Sequence, residues 1–153
     1  MPKLNLVSIP ERKGSSYPAP FDKESANRIR QRLGDAGGLT QFGVNLLHLP
    51  PGAWSSQRHW HSAEDEFVYV ISGEIVLITD QGEEILHAGD CVAFPKNVPD
   101  GHHLVNKSGT TAFCLEIGTR TTDKCVVYSD IDMVLDSKVG WYTHRDGTPY
   151  PRK

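Results

Sequence analysis

At 153 residues, with a formal net charge of −3 and a pI near 6.1, the chain has the size of a single domain able to bury a core. Its 16 Lys and Arg residues are scattered along the chain, which excludes the concentrated basic face of a nucleic-acid binder. No apolar run is long enough to span a bilayer, and the N-terminal stretch MPKLNLVSIPERKG has neither the apolar length nor the small-residue cleavage site of a secretory leader.

The three cysteines, Cys91, Cys114 and Cys125, have no paired spacing. With no export signal they point to reduced thiols and a cytoplasmic location. Cys91 and Cys114 fall in predicted strands, where a free cysteine reads as a small buried hydrophobe. Gly (14) and Pro (10) cut the chain into short segments rich in Val, Ile, Thr, Phe and Tyr, the pattern of an all-β sandwich or barrel.

In chain order, residues 4–9 (LNLVSI) read as a short strand and 14–22 as an irregular arm. Residues 26–33 (ANRIRQRL) read as a further strand, with the run Arg28-Ile29-Arg30-Gln31-Arg32 as a solvated face. Residues 40–49 (TQFGVNLLHL) alternate imperfectly, placing Phe42, Val44, Leu46 and His48 on one face, where His48 reads as a satisfied core histidine. Pro50-Pro51-Gly52 ends that strand, because proline cannot donate to a ladder.

Strands are then predicted at 57–62 and 66–72. A hairpin of 75–79 and 83–87 closes around Asp80-Gln81-Gly82, and strands at 91–94, 102–106 and 111–118 follow. The tail from Lys124 holds one predicted strand, Lys124 to Tyr128, and a turn-rich end. Nine or ten strands are best managed by closing or doubling the sheet.

The chemistry concentrates in Gly52 to Gly73 (GAWSSQRHWHSAEDEFVYVISG). On a strand, His59 and His61 share a face with Cα atoms about 6.6 Å apart, a spacing at which two imidazoles can converge on one ion. A short connection returns Glu66 beside them, on a face shared with Val68 and Val70. An ionised Glu among Val side chains is costly unless it is paired or ligating, which argues for a metal. A surface His-Trp-His loop beside Glu64, Asp65 and Glu66 would carry the same letters. A second cluster, GDCVAFPKNVPDGHHLVN, runs from Gly89 to Asn106.

The two clusters together resemble the cupin superfamily. The first matches its pattern of Gly, spacer, His-x-His, Glu and Gly at Gly52, His59, His61, Glu66 and Gly73. The second matches Gly, Pro, His and Asn at Gly89, Pro95, His102 and Asn106. The resemblance covers roughly residues 40–118, with an N-terminal arm at 1–25 and a C-terminal extension at 124–153 in one domain of residues 1–153. It implies a double-stranded β-helix, or jelly-roll barrel, with metal ligands His59, His61, Glu66 and His102.

Two departures from the pattern stand out. Six residues separate Gly52 from His59, and the loop from Pro95 to His102 is longer than usual, with Asn97 where the family has Gly. The lengthened loop leaves His102, His103 and Asp100 as alternatives for the fourth ligand. Intact spacing to Asn106 favours His102, and strand alternation turns His103 to the opposite face.

Three imidazoles and a carboxylate suit a divalent transition metal: Zn, Fe(II), Mn, Ni, Co or Cu. The resemblance implies a dioxygenase, isomerase or lyase acting on a small polar organic molecule, or a non-enzymatic cupin that binds or senses such a molecule through the metal. Glu64, Asp65, Asp100 and His103 are the candidate bases near the rim. The arm and tail exceed what a minimal barrel needs, and a homodimer would bury them. The remaining partner is a small molecule, with neither nucleic acid nor membrane.

Overall fold

In the computed structural model, which describes residues 3–152, the regular secondary structure is almost wholly antiparallel strand. They are β1 (Glu11–Lys13), β2 (Ile29–Arg32), β3 (Phe42–Leu49), β4 (His59–His61), β5 (Glu66–Ser72), β6 (Glu74–Thr79) and β7 (Gly82–His87). After them come β8 (Cys91–Phe94), β9 (His103–Val105), β10 (Ala112–Thr119), β11 (Cys125–Tyr128), β12 (Val134–Asp136) and β13 (Trp141–Thr143). One short helix, α1 (Leu33–Ala36), follows β2. Among the described residues no helix is long and apolar enough to cross a membrane.

The strands form three sheets: β1-β2-β3-β10-β5-β8, β7-β6-β9 and β13-β12-β11-β4. They do not close into one continuous ladder. The isolated bridge between His59 and His102 links β4 to the start of β9, and another joins Trp54 to Val105. The result is a jelly roll, with apolar faces meeting between sheets. Leu47 (β3), Val70 (β5), Ile75 (β6), Leu104 (β9) and Cys114 (β10) form the main core. Tyr17, Val126, Tyr128, Met133 and Tyr142 form a second core under the tail.

Several expectations change. Residues 4–9 make a 3-10 turn, Leu6–Ser8, capped by Asn5, instead of a strand. On β3 the buried residues are Leu47 and Leu49, so the face carrying Leu46 and His48 is the outer one. His48 packs on Phe113 (ring centroids 4.7 Å apart), and its buried Nε2 has no partner. Leu at both 46 and 47 makes either face plausible from the pattern, and the register with β10 decides between them. Cys91 is exposed: β8 is an edge strand whose more covered residues are Val92 and Phe94. The tail supplies three strands where one was expected, and β11 pairs with β4, so the tail packs against its own chain.

Candidate metal centre

The loop before β4 and the loop before β9 meet as a pair of backbone hydrogen bonds. His59 N donates to His102 O (3.1 Å) and His102 N donates to His59 O (2.9 Å). This pairing sets two imidazoles side by side. Strand alternation adds His61 on the same face, and the Ser62–Asp65 connection returns the chain so that Glu66 opens β5 against them.

All three imidazoles turn Nε2 toward one carboxylate oxygen. Glu66 Oε2 lies 2.8 Å from His102, 3.2 Å from His61 and 3.7 Å from His59. His59, His61 and Glu66 each offer a ligand atom within 4.8 Å of the others. Among the alternatives at the lengthened loop, His103 turns away, with Nδ1 2.9 Å from Ser56 O and its ring edge-on to Trp54. Asp100 accepts a hydrogen bond from Asp80 N (2.7 Å).

The surrounding groups fix the rings. His59 Nδ1 is 2.8 Å from Gln57 O. A carbonyl only accepts, so Nδ1 carries a proton, which leaves Nε2 as the ring nitrogen turned to the centre. His61 Nδ1 is 3.1 Å from Glu64 Oε2, close enough for an ion pair but not aligned as a hydrogen bond. Phe94 stacks on His102, and the buried Nδ1 of His102 has no partner. Glu64, expected as a rim base, is instead buried beneath His61, where it can orient that ring. Asn106 is buried and structural: its Nδ2 donates to Leu49 O (2.6 Å) and Thr110 O (2.8 Å).

Protonation follows from this crowding. Burial pulls His61 down, but Glu64 and Glu66 outweigh it and hold the imidazole up at about 9. Burial pushes Glu66 up, yet the imidazoles of His102, His59 and His61 turned on it keep it well below the ordinary carboxylate value. Burial lowers His102, and Glu66 only partly offsets this. Three imidazoles crowded on one carboxylate, and buried ring nitrogens of His61 and His102 without an aligned partner, are what a centre that takes a cation presents. The donor set of His59, His61 and Glu66, with His102 beside Glu66, suits a divalent transition metal.

These residues line a cavity of about 690 Å³ between the sheets. Another part of its lining corrects the reading of the basic run. Arg28, Arg30 and Arg32 alternate on the interior side of β2 and line the cavity. Gln31, on the other side, is sealed by the N-terminal arm through bonds from its Nε2 to Leu6 O (2.8 Å) and Ile9 O (2.9 Å). Tyr17, Tyr128 and Tyr142, which the sequence reading passed over, border the same space. Burial first, then the neighbouring Tyr17 and Tyr142, push Tyr128 well above the ordinary tyrosine value, so its hydroxyl keeps its proton.

A family model described as a cupin domain matches residues 45–118. A solved structure from Silicibacter pomeroyi, described as a sugar phosphate isomerase from a cupin superfamily, is 49% identical with a TM-score of 0.93, covering 98% of this chain and 97% of that one. A second, described as a putative sugar phosphate isomerase from Acidithiobacillus ferrooxidans, is 32% identical with a TM-score of 0.74, covering 84% and 83%. The polyketide cyclase RemF from Streptomyces resistomycificus shares the fold at 21% identity, with a TM-score of 0.61 and coverage of 78% and 79%. No curated protein sequence matches the chain.

Proposed function

The chain belongs to the cupin superfamily, and we propose that it is a metal-dependent isomerase of a small phosphorylated sugar. One observation carries the reading: a single cavity is lined both by a cluster of three imidazoles and a carboxylate and by a row of arginines, of which Arg28 is buried. The description of the 49% identical Silicibacter pomeroyi protein agrees with it.

In this reading His59, His61, Glu66 and His102 hold the metal, and Gln57 O and Glu64 fix the rings of His59 and His61. A divalent metal there supplies Lewis acidity toward a carbonyl and its neighbouring hydroxyl. The chain's own residues do the rest. Tyr128, whose ring centroid is 5.8 Å from that of His59, offers a proton-bearing hydroxyl to substrate oxygen. The arginine wall takes the charged end. Isomerisation moves one proton between adjacent carbons and one between their oxygens, so it needs no external oxidant or reductant.

The test is turnover. The chain loaded in turn with Mn, Fe(II), Co, Ni or Zn is incubated in D2O with aldose phosphates from triose to hexose, and ketose formation is followed by NMR. A metal-dependent product carrying deuterium at the carbon that receives the proton is expected. Binding without turnover for every metal would make the protein a non-enzymatic binding cupin.

A further inference from the structure

The cavity's charges are paired except at one place. Arg30 grips Glu116 with both ends of its guanidinium (2.6 and 2.7 Å). Arg32 and Arg120 share Asp35 at the rim, and Lys124 lies 3.7 Å from Glu64. Arg28, 8% exposed, has no carboxylate within ion-pair reach among the described residues. Its Nε donates to Gly14 O (3.0 Å) and its Nη1 to Ser55 O, both neutral carbonyls. Its Nη2 has no hydrogen-bond partner among the described residues, although the side chain borders the cavity.

Arg30 adds to the imbalance, because its Nη2 also donates to Ser55 O (3.2 Å). Two guanidiniums therefore converge on one carbonyl, and the carboxylate of Glu116 is held by Arg30 alone. Burial, then the nearby Arg30, lower Arg28 to about 10. Burying an unpaired cation is costly, and an arriving anion would offset that cost. Four guanidiniums on this wall, those of Arg28, Arg30, Arg32 and Arg120, face the carboxylates of Asp35 and Glu116, which leaves two positive charges. That is the charge complement of a phosphate monoester dianion, and the guanidinium fork matches its oxygens.

The position suits a substrate that reaches the metal. Ser55 O, which both arginines hold, is four residues ahead of His59 on the loop leading into β4. The Tyr17 ring lies 5.8 Å from the Arg28 guanidinium, and Tyr142 OH, bonded to Ser16 Oγ (2.9 Å), borders the same space.

We propose that the outer edge of Arg28, centred on Nη2, is the seat of the substrate's phosphate, with Arg30 and Glu116 setting the charge around it. The assignment rests on the isomerase reading for the identity of the substrate, but not for the binding itself.

The test is calorimetry on the metal-loaded full chain with inorganic phosphate, ribose 5-phosphate and ribose, for the wild type, Arg28→Gln and Arg28→Lys. Phosphate and ribose 5-phosphate are expected to bind, with ribose at least tenfold weaker. Arg28→Gln should lose at least tenfold in affinity for both phosphorylated probes while its metal content is unchanged, and Arg28→Lys should fall between. A folded Arg28→Gln that binds phosphate as tightly as the wild type would overturn the assignment. So would a wild type that holds ribose as tightly as ribose 5-phosphate, and this second result needs no variant to fold. Phosphate binding through Arg28 without turnover of any sugar phosphate keeps the seat and removes the isomerase. Turnover with kcat/KM unchanged in Arg28→Gln keeps the isomerase and removes the seat.

Discussion

Two walls of one cavity carry charge in opposite ways. On the imidazole wall, Glu66 is met by three rings, and His59 and His61 are backed by Gln57 O and Glu64. On the arginine wall, Arg30 is satisfied by Glu116 while Arg28 rests on neutral carbonyls. The first wall has an excess of ring nitrogens that a cation would satisfy. The second has an excess of cations that an anion would satisfy. Both line one cavity, and in the proposed reading they suit a ligand with an oxygen-rich end for the metal and a charged end for the guanidiniums.

The largest expected effect breaks the imidazole wall. Glu66→Gln should lower bound metal from about one ion per chain to under a tenth, measured by elemental analysis, and abolish the thermal stabilisation that added metal gives the wild type. The same substitution should change phosphate affinity at Arg28 far less than metal content, since Glu66 forms no ion pair with either arginine among the described residues and reaches that wall only through its charge on Arg30.

The next breaks the arginine wall. Glu116→Gln leaves Arg30 without its carboxylate, beside Arg28, and should destabilise the fold by about 3 kcal/mol in urea unfolding. Replacing Arg30 and Glu116 together by Met should recover most of that loss, because no charge is then stranded beside the one that remains. A Glu116→Gln protein as stable as the wild type would mean that the wall is solvated and its charges screened.

These contrasts explain what was legible in the sequence. His59, His61 and Glu66 announce themselves because strand period and a short return fix their geometry within eight residues. His102 is legible through its spacing to Asn106, whose buried amide ties the end of β9 to the turn before β10. The arginine face has the same period of two, but period alone cannot say which side of β2 meets water. That is decided by the arm from Leu6 to Ile9 covering Gln31, a contact across some twenty residues. Glu64 escaped for a similar reason, since an acidic triplet in a loop looks solvated until Lys124 and His61 close over it. The strands of the tail are three or four residues each, too short to show a period.

Titration separates the walls by a different route. His61 is raised from 6.5 to about 9 in the fold, so its stabilisation is fully present below pH 6.5 and is lost as pH rises through 9. Melting of the metal-stripped chain should therefore fall by a few degrees across that window. Metal binding requires the neutral ring, so loading should flatten the slope, as should His61→Asn. A slope that persists in His61→Asn would place the titrating group elsewhere.

The loop that delivers His102 offers a smaller effect. Arg58 clamps it by donating to Gly101 O (3.0 Å) while pairing with Asp80 and Asp130. A Cβ at residue 101 would run into Ser129 Oγ. Gly101→Ala should cost about 1–3 kcal/mol and weaken metal binding severalfold, because His102 is the next residue. Unchanged metal affinity would mean that His102 reaches Glu66 however the loop settles.

The smallest effect concerns Asn97, at the point where the loop departs from the family's glycine. Its φ is 59°, in the left-handed region where Asn is tolerated and other side chains are strained. Its N–H donates to His61 O (2.8 Å), so this turn also holds the end of β4. Asn97→Gly should be close to neutral, while Asn97→Ala should cost about 1 kcal/mol in urea unfolding. If the strain is local, phosphate affinity at Arg28 stays unchanged in both variants and metal affinity shifts only in Asn97→Ala. Equal losses in the two would show instead that the Asn side chain itself, and not its backbone conformation, supports the imidazole wall.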